Sequence, residues 1–224
     1  MTRALAYCAF HQHPDLTLPA AGVQGVAVRE IVAGRLRVLW SEVEWPFEPA
    51  ATQKNAVEFH QVVSHVFARV AVAPFRLLTV FDHRQALEAF VAGHEQYYSA
   101  DLERLREFVQ MECVLYLIGE RQPTDPVLRA KYLEQKAELF RAVQQSAEQV
   151  KEALLAISPD IRVREVKSGS RLFALVRRGA EAEFRSIAEG IGIPEPVSRR
   201  TSGPWPASEF LNEAIKARRM AADQ

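Results

Sequence analysis

Apolar and polar positions change their period several times along the chain. Ala4–Phe10 is a short, continuous apolar and aromatic run, the pattern of a buried strand. A loop with Pro14 and Pro19 follows. Gly25–Val32 and Leu36–Val43 then alternate in polarity and meet at Ala33-Gly34, which predicts a β-hairpin ended by Trp45-Pro46 and Pro49. Asn55 with Glu58 three residues on resembles a capping box. Val57, Val62, Val66 and Val70 fall near helical spacing, so a helix is expected over 55–70. Val72–Phe81 reads as one strand, and Asp82 as the cap of a helix running to about Ala92. Gly93 interrupts that helix, and Leu102, Leu105, Phe108 and Val109 continue a helical face after Ser99.

The second half is more regular. Glu112–Ile118 is an apolar strand, and Asp125-Pro126 has the chemistry of a helix start. The helix from Val127 to about Ile157 spans about 45 Å, and Pro159 ends it. Ile161–Lys167 and Arg171–Arg178 are expected strands joined at Ser168-Gly169-Ser170. A helix from Ala180 to Gly190 and a last strand at Val197–Thr201 follow. A short amphipathic tail helix carries Phe210, Leu211, Ala214 and Ile215 on one side. The order β-α-β-β-α-β is the ferredoxin-like split βαβ, whose right-handed crossovers put both helices on one face of a four-stranded antiparallel sheet. The expected fold class is therefore α+β with two domains. Residues 1–108 form an N-terminal mixed α/β domain. Residues 109–224 form a C-terminal ferredoxin-like βαββαβ domain with a long first helix and a C-terminal tail helix. No Gly/Ser- or Pro-rich linker separates the two.

Composition narrows the function. At 224 residues, 48% hydrophobic and 25% charged, the chain can bury a core without disulfide or metal staples. Lys+Arg 28 and Asp+Glu 28 cancel, whereas a dedicated nucleic-acid-binding domain carries a basic excess. The longest uncharged stretch, Leu16–Val28, is broken by Pro19, Gly22 and Gly25 and cannot span a membrane. The apolar run after Arg3 ends by His11, so no secretory signal is read and the expected compartment is the cytoplasm.

No catalytic constellation emerges. His11-Gln-His13 falls short of the three or four ligands a zinc site needs. Cys8 and Cys113 sit in apolar strands with no adjacent cation to activate a thiol. Glu112 interrupts an apolar strand and either faces solvent or lies buried against an arginine. The phosphate-binding glycine loops, H-E-x-x-H and G-x-S-x-G are absent. Arg162, Arg164, Lys167, Arg171, Arg177 and Arg178 make a basic strand pair with Phe173 as its sole aromatic residue, which lacks the stacked aromatics of an RNA-binding sheet. Phe140, Val143, Ala147, Val150, Leu154 and Ile157 form a seam of under three heptads, suited to packing on the helix's own sheet or to a partner. In Thr201-Ser-Gly-Pro-Trp-Pro206 two prolines flank an indole, a rigid corner or an interface anchor.

That last stretch carries a resemblance. Gly203-Pro204-Trp205-Pro206 followed by Phe210 resembles the closing motif of the gas vesicle accessory family GvpL/GvpF, Gly-Pro-Trp-Pro-Pro-Tyr-x-Phe. Val72–Phe81, with Pro74, Phe75 and Arg76, is similar to that family's Pro, Phe/Leu, Arg, Phe, Gly, Thr, Val and Phe segment, and follows a helix with His60 near its start. Tyr7 in the opening strand, the hairpin ending near Ser41 and the strand Phe173–Val176 fall in family order. Leu77 and Leu78 stand where the family has Phe and Gly, and Ala207-Ser208 where it has Pro-Tyr. The resemblance implies a non-enzymatic accessory protein without cofactor or metal. It would assist assembly of the gas vesicle shell, or form a minor part of it, through contacts with the shell protein and other accessory proteins. It would be cytoplasmic and vesicle-associated, with no nucleic-acid partner. The departures leave a second reading: an interaction or regulatory module of the same fold in a host without gas vesicles. Pro74, Phe75, Arg76, Gly203, Pro204, Trp205, Pro206 and Phe210 are the candidate partner-binding or structural positions.

Overall fold

The apolar run near the N-terminus becomes the central strand of a sheet. In the computed structural model, which describes residues 1–46, 52–118, 126–166 and 169–212, β1 (Thr2–His11) is buried from Ala4 to Phe10. It is flanked by β3 (Leu36–Glu44) on one side, and by β4 (Val72–Pro74) and β5 (Val80–Phe81) on the other. β2 (Arg29–Ala33) completes an antiparallel sheet in the order β2-β3-β1-β4, with β5 also on β1. Three helices pack on this sheet: α1 (Gln53–Phe67), α2 (Arg84–Ala92) and α3 (Glu95–Leu105).

The β1–β3 register slips between Ala6 and Cys8, leaving Tyr7 as the extra residue of a bulge. Its fully buried side chain joins a short relay. The Val23 N–H donates to the Tyr7 hydroxyl at 2.9 Å, the hydroxyl donates to Ser41 Oγ at 3.0 Å, and Ser41 Oγ donates to Ala27 O at 3.0 Å. The loop before β2 is thereby tied to the sheet by groups that would otherwise be buried and unsatisfied.

The second sheet runs β7-β8-β6-β9 and is antiparallel throughout: β6 (Phe108–Leu117), β7 (Ile161–Val166), β8 (Gly169–Arg177), β9 (Val197–Trp205). α4 (Pro126–Leu154) and α5 (Glu181–Gly190) contact each other, and both contact β6, β8 and β9. Val143, Ala147, Val150 and Leu154 of α4 are buried, so this part of the heptad seam faces its own sheet. They meet Met111, Cys113 and Leu115 of β6 and Leu172, Ala174 and Val176 of β8, the alternate set that the strand period of two puts on one face.

The molecule is thus α+β with two antiparallel sheets and, among the described residues, five α-helices. It divides into two compact units, Phe108–Trp205, and Met1–Glu107 together with the stretch from Pro206. The sequence-based division put that stretch with the second half. Several local expectations are corrected. The helix expected to start at Asn55 starts at Gln53, because Thr52 is the cap and its hydroxyl accepts from the Asn55 N–H at 3.0 Å. Glu58 accepts from the Gln24 N–H instead of closing a capping box. Residues 72–81 form two short strands around a turn. His83, not Asp82, caps α2, through Nδ1 and the Ala86 N–H. β6 begins at Phe108, so Phe108 and Val109 belong to a strand. The tail helix with Ala214 and Ile215 lies outside the described residues, as do Asp125, Lys167 and Ser168.

Candidate functional site

Pro74 ends β4 opposite Cys8, and the next residue turns inward. The Phe75 N–H donates to Tyr7 O at 2.8 Å. Its ring is buried among Phe81, Phe90 and Tyr98, with centroids 6.0–6.5 Å away. Arg76 is exposed. Arg76–Thr79 is a turn closed by the Thr79 N–H on Arg76 O at 3.0 Å, and its third residue, Leu78, has φ +69°. That is the turn position where glycine is favoured, so the leucine there holds a left-handed backbone at a cost of about 1–2 kcal/mol.

The closing motif is not a loop after the last strand. β9, expected to stop at Thr201, continues through Gly203-Pro204-Trp205 along β6. The β6–β9 register slips between Gln110 and Glu112, and Gly203 sits at the slip with φ +116°. A Cβ on Gly203 would lie 2.9 Å from Gln110 O and 3.3 Å from Met111 Cα. Gly203 O accepts from Arg185 Nη2 of α5 at 2.7 Å. Proline is tolerated next to it because β9 is an edge strand. Pro204 is exposed, Trp205 is half-buried with Nε1 donating to Ser202 Oγ at 3.3 Å, and Pro206 is buried.

Phe210 is buried and returns to α3. Its carbonyl accepts from Arg104 Nη2 at 2.6 Å, and the same nitrogen is 2.7 Å from Asp101 Oδ1. Asp101 Oδ2 accepts the Asn212 N–H. Tyr98, which meets Phe75, lies one turn before Asp101 on the same helix. Phe75 and Phe210 are therefore both held by α3. Sequence reasoning missed Asp101 and Arg104. The signal was an i,i+3 acid–arginine pair beside Leu102 and Leu105 on a helical face.

The second sheet's face away from α4 and α5 carries the basic strand pair. Arg162 opposes Phe173, Arg164 opposes Arg171, and Arg177 opposes Phe108. The Arg164 and Arg171 guanidinium carbons lie 5.7 and 5.8 Å from the Phe173 ring centroid. The ring is 3% exposed, covered rather than offered for stacking. Glu112 faces this side with its side chain 16% exposed, 3.9 Å from Arg171 Nε, and accepts from Gln110 Nε2 at 3.2 Å. Of its two open readings, the arginine-facing one holds.

Cys8 and Cys113 are fully buried. Burial raises both thiol pKa values, that of Cys113 to about 11. His13 Nδ1 accepts from the Asp15 N–H at 3.4 Å. Burial, with the Arg35 charge, lowers the pKa of His11 against the opposing pull of Glu103. No group of three or more His, Cys, Asp or Glu able to hold a metal comes together among the described residues. No described helix is long and apolar enough to cross a membrane.

Residues 4–212 match the family described as gas vesicle synthesis protein GvpL/GvpF. The crystal structure of the gas vesicle protein GvpF from Anabaena sp. PCC7120 superposes with TM-score 0.72 at 11% identity, covering 95% of this chain and 99% of that one. GvpF from Microcystis aeruginosa gives 0.71 at 13% identity, covering 93% and 98%. At such identities these two likenesses speak for the fold. No curated protein matches the chain.

Proposed function

Because the chain belongs to the GvpL/GvpF gas vesicle synthesis family, we propose that it is a non-enzymatic gas vesicle accessory protein. It acts through contacts with the vesicle shell protein and other accessory proteins, assisting shell assembly or remaining as a minor component, in the cytoplasm and in association with the vesicle. The family match running unbroken from residue 4 to 212 carries this reading. We read the two compact units as two domains, with the first chain boundary between them after Glu107. The second is a ferredoxin-like split βαβ, supported by its strand order β7-β8-β6-β9 and its two mutually contacting helices.

The candidate residues divide by burial. Phe75, Pro206 and Phe210 are interior and act in folding. Gly203 sets the β9 slip. Arg76, Pro204 and the accessible part of Trp205 remain open to a partner, and an indole fixed between two prolines loses little freedom on docking.

The test is co-expression and pull-down with the host's own shell protein, with Trp205→Ala beside wild type. Capture by wild type is expected. Loss of capture in a Trp205→Ala protein that keeps its circular dichroism would put the indole at the contact. No capture between two folded proteins would overturn the vesicle reading in favour of an interaction module with another partner.

A further inference from the structure

The edges of the two sheets are not alike. β4 and β5 are three and two residues long. β2 is packed by α2. β9 carries Gly203, Pro204 and a register slip. Each device blunts an edge against further pairing. β7 has none of them. Its six residues pair with β8 in unbroken register from Ile161 to Val166, it contains no proline, and no described strand lies on its other side. Val163 is 42% exposed and Val166 39%. The unpaired N–H and C=O groups of such a strand are a template for one more.

Its side chains restrict what can be added. On the helix-free side stand Arg162 and Arg164, with Phe173 and Arg171 opposite them on β8 and Glu112 3.9 Å from Arg171. Arg162 also lies 3.5 Å from Asp160, outside the strand. On the helix side stand Ile161, Val163 and Glu165, the last accepting from Gln144 of α4 at 2.9 Å. A second copy pairing antiparallel with its helices on the same side would set Arg162 against Arg164, or Arg164 against itself. Like charges directly opposite are destabilising. Phe173, the ring directly behind Arg162 and Arg164, is 3% exposed beside Arg164 and Arg171, so next to β7 an incoming nucleic acid finds no open ring to stack on. Charge and pattern fit a polypeptide instead.

We propose that the free edge of β7 docks an extended acidic segment of another protein. Its acidic side chains lie beside Arg162 and Arg164, and its aliphatic ones beside Ile161 and Val163. The inference deepens the accessory reading by naming the partner's chemistry, and rests on it only for the partner's identity. Strand pairing supplies affinity whatever the sequence, and the two arginines select acid over base.

The test uses the full chain and synthetic peptides alternating Glu with Val or Lys with Val, read by fluorescence anisotropy at two salt concentrations. The Glu peptide is expected to bind at least about ten-fold more tightly than the Lys peptide. The Arg162→Glu/Arg164→Glu variant is expected to reverse that preference. Because the reversed variant gains a ligand, its result cannot be put down to misfolding. Equal binding of both peptides, no binding, an unchanged preference in the variant, or tighter binding of a single-stranded oligonucleotide of equal charge would each overturn the proposal. The two readings fail separately. If the reversed variant still captures shell protein like wild type, the accessory role stands and β7 is not its contact. If the peptides behave as expected but shell protein is not captured, the edge stands and the vesicle partner falls.

Discussion

Replacing Gly203 by alanine separates two effects that the closing motif combines. Gly203 and Gly179 both have φ in the region L-residues avoid, +116° and +95°. Either alanine forces that backbone on a residue with a Cβ, a strain of about 2 kcal/mol. Their surroundings differ. Around Gly179 a Cβ meets nothing within 4 Å. At Gly203 it meets Met111 Sδ at 2.8 Å, Gln110 O at 2.9 Å and Met111 Cα at 3.3 Å. The sulfur can swing aside, but the other two atoms are backbone of the central strand β6. Overpacking of this kind adds about 1–3 kcal/mol. Gly179→Ala should therefore cost about 2 kcal/mol and Gly203→Ala about 4 kcal/mol. For a unit of this size that lowers Tm by about 8–16 °C and about 16–32 °C respectively. Urea denaturation followed by circular dichroism, with thermal melts beside it, measures both. Equal losses would show that the slip relaxes around the new methyl. A Gly203→Ala cost below about 0.5 kcal/mol would refute the steric argument altogether.

Two further outcomes follow from the first unit. Tyr7→Phe leaves the buried Val23 N–H without its acceptor and Ser41 without its donor, a cost of about 1–3 kcal/mol in the same denaturation assay. A change within about 0.3 kcal/mol would mean that the relay contributes nothing net. Burial and Arg35, against the pull of Glu103, lower the pKa of His11 in the folded chain. The unfolded chain thus binds the proton more readily, and stability should fall as pH drops from 7 toward 5. His11→Gln should flatten that slope, as read from urea midpoints across the range; an identical slope in the variant would remove His11 from the pH response.

Much of the architecture was legible because it rests on periodicity. The unbroken run Ala4–Phe10, short and rich in aromatics, reads as a strand buried on both faces, and the seam through Val143, Ala147, Val150 and Leu154 has the spacing of a helix face. Local chemistry was harder. Residues 72–81 read as one strand because no glycine marks the turn: Leu78 takes a backbone usually reserved for glycine, in a turn closed by the Thr79 N–H on Arg76 O. α1 starts two residues early because Thr52 is as good a cap as Asn55, and only geometry chooses between them. β9 outran its expected end because a proline normally stops a strand, while edge position and the slip at Gly203 accommodate this one. In the candidate site, the motif residues were visible as types, but their division into interior and open was not. Asp101 and Arg104 drew no reading from the sequence, and only the return of Phe210 and Asn212 turns them into a clamp.

That return has a consequence for synthesis. The first unit is discontinuous in the chain, with Phe108–Trp205 inserted between its main body and the strap that closes it. While the ribosome makes the insert, Asp101 lacks the Asn212 N–H and Arg104 lacks the Phe210 carbonyl. At usual elongation speeds that interval is about 5–20 s, long enough for β6, β7 and β8 to pair before the strap is made, while β9 ends at Trp205 and immediately precedes it. The first-made half of the protein is thus the last to be completed. A nascent chain stalled before Pro206 would leave the strap site on α3 without Phe210 and Asn212, and so open to chaperones.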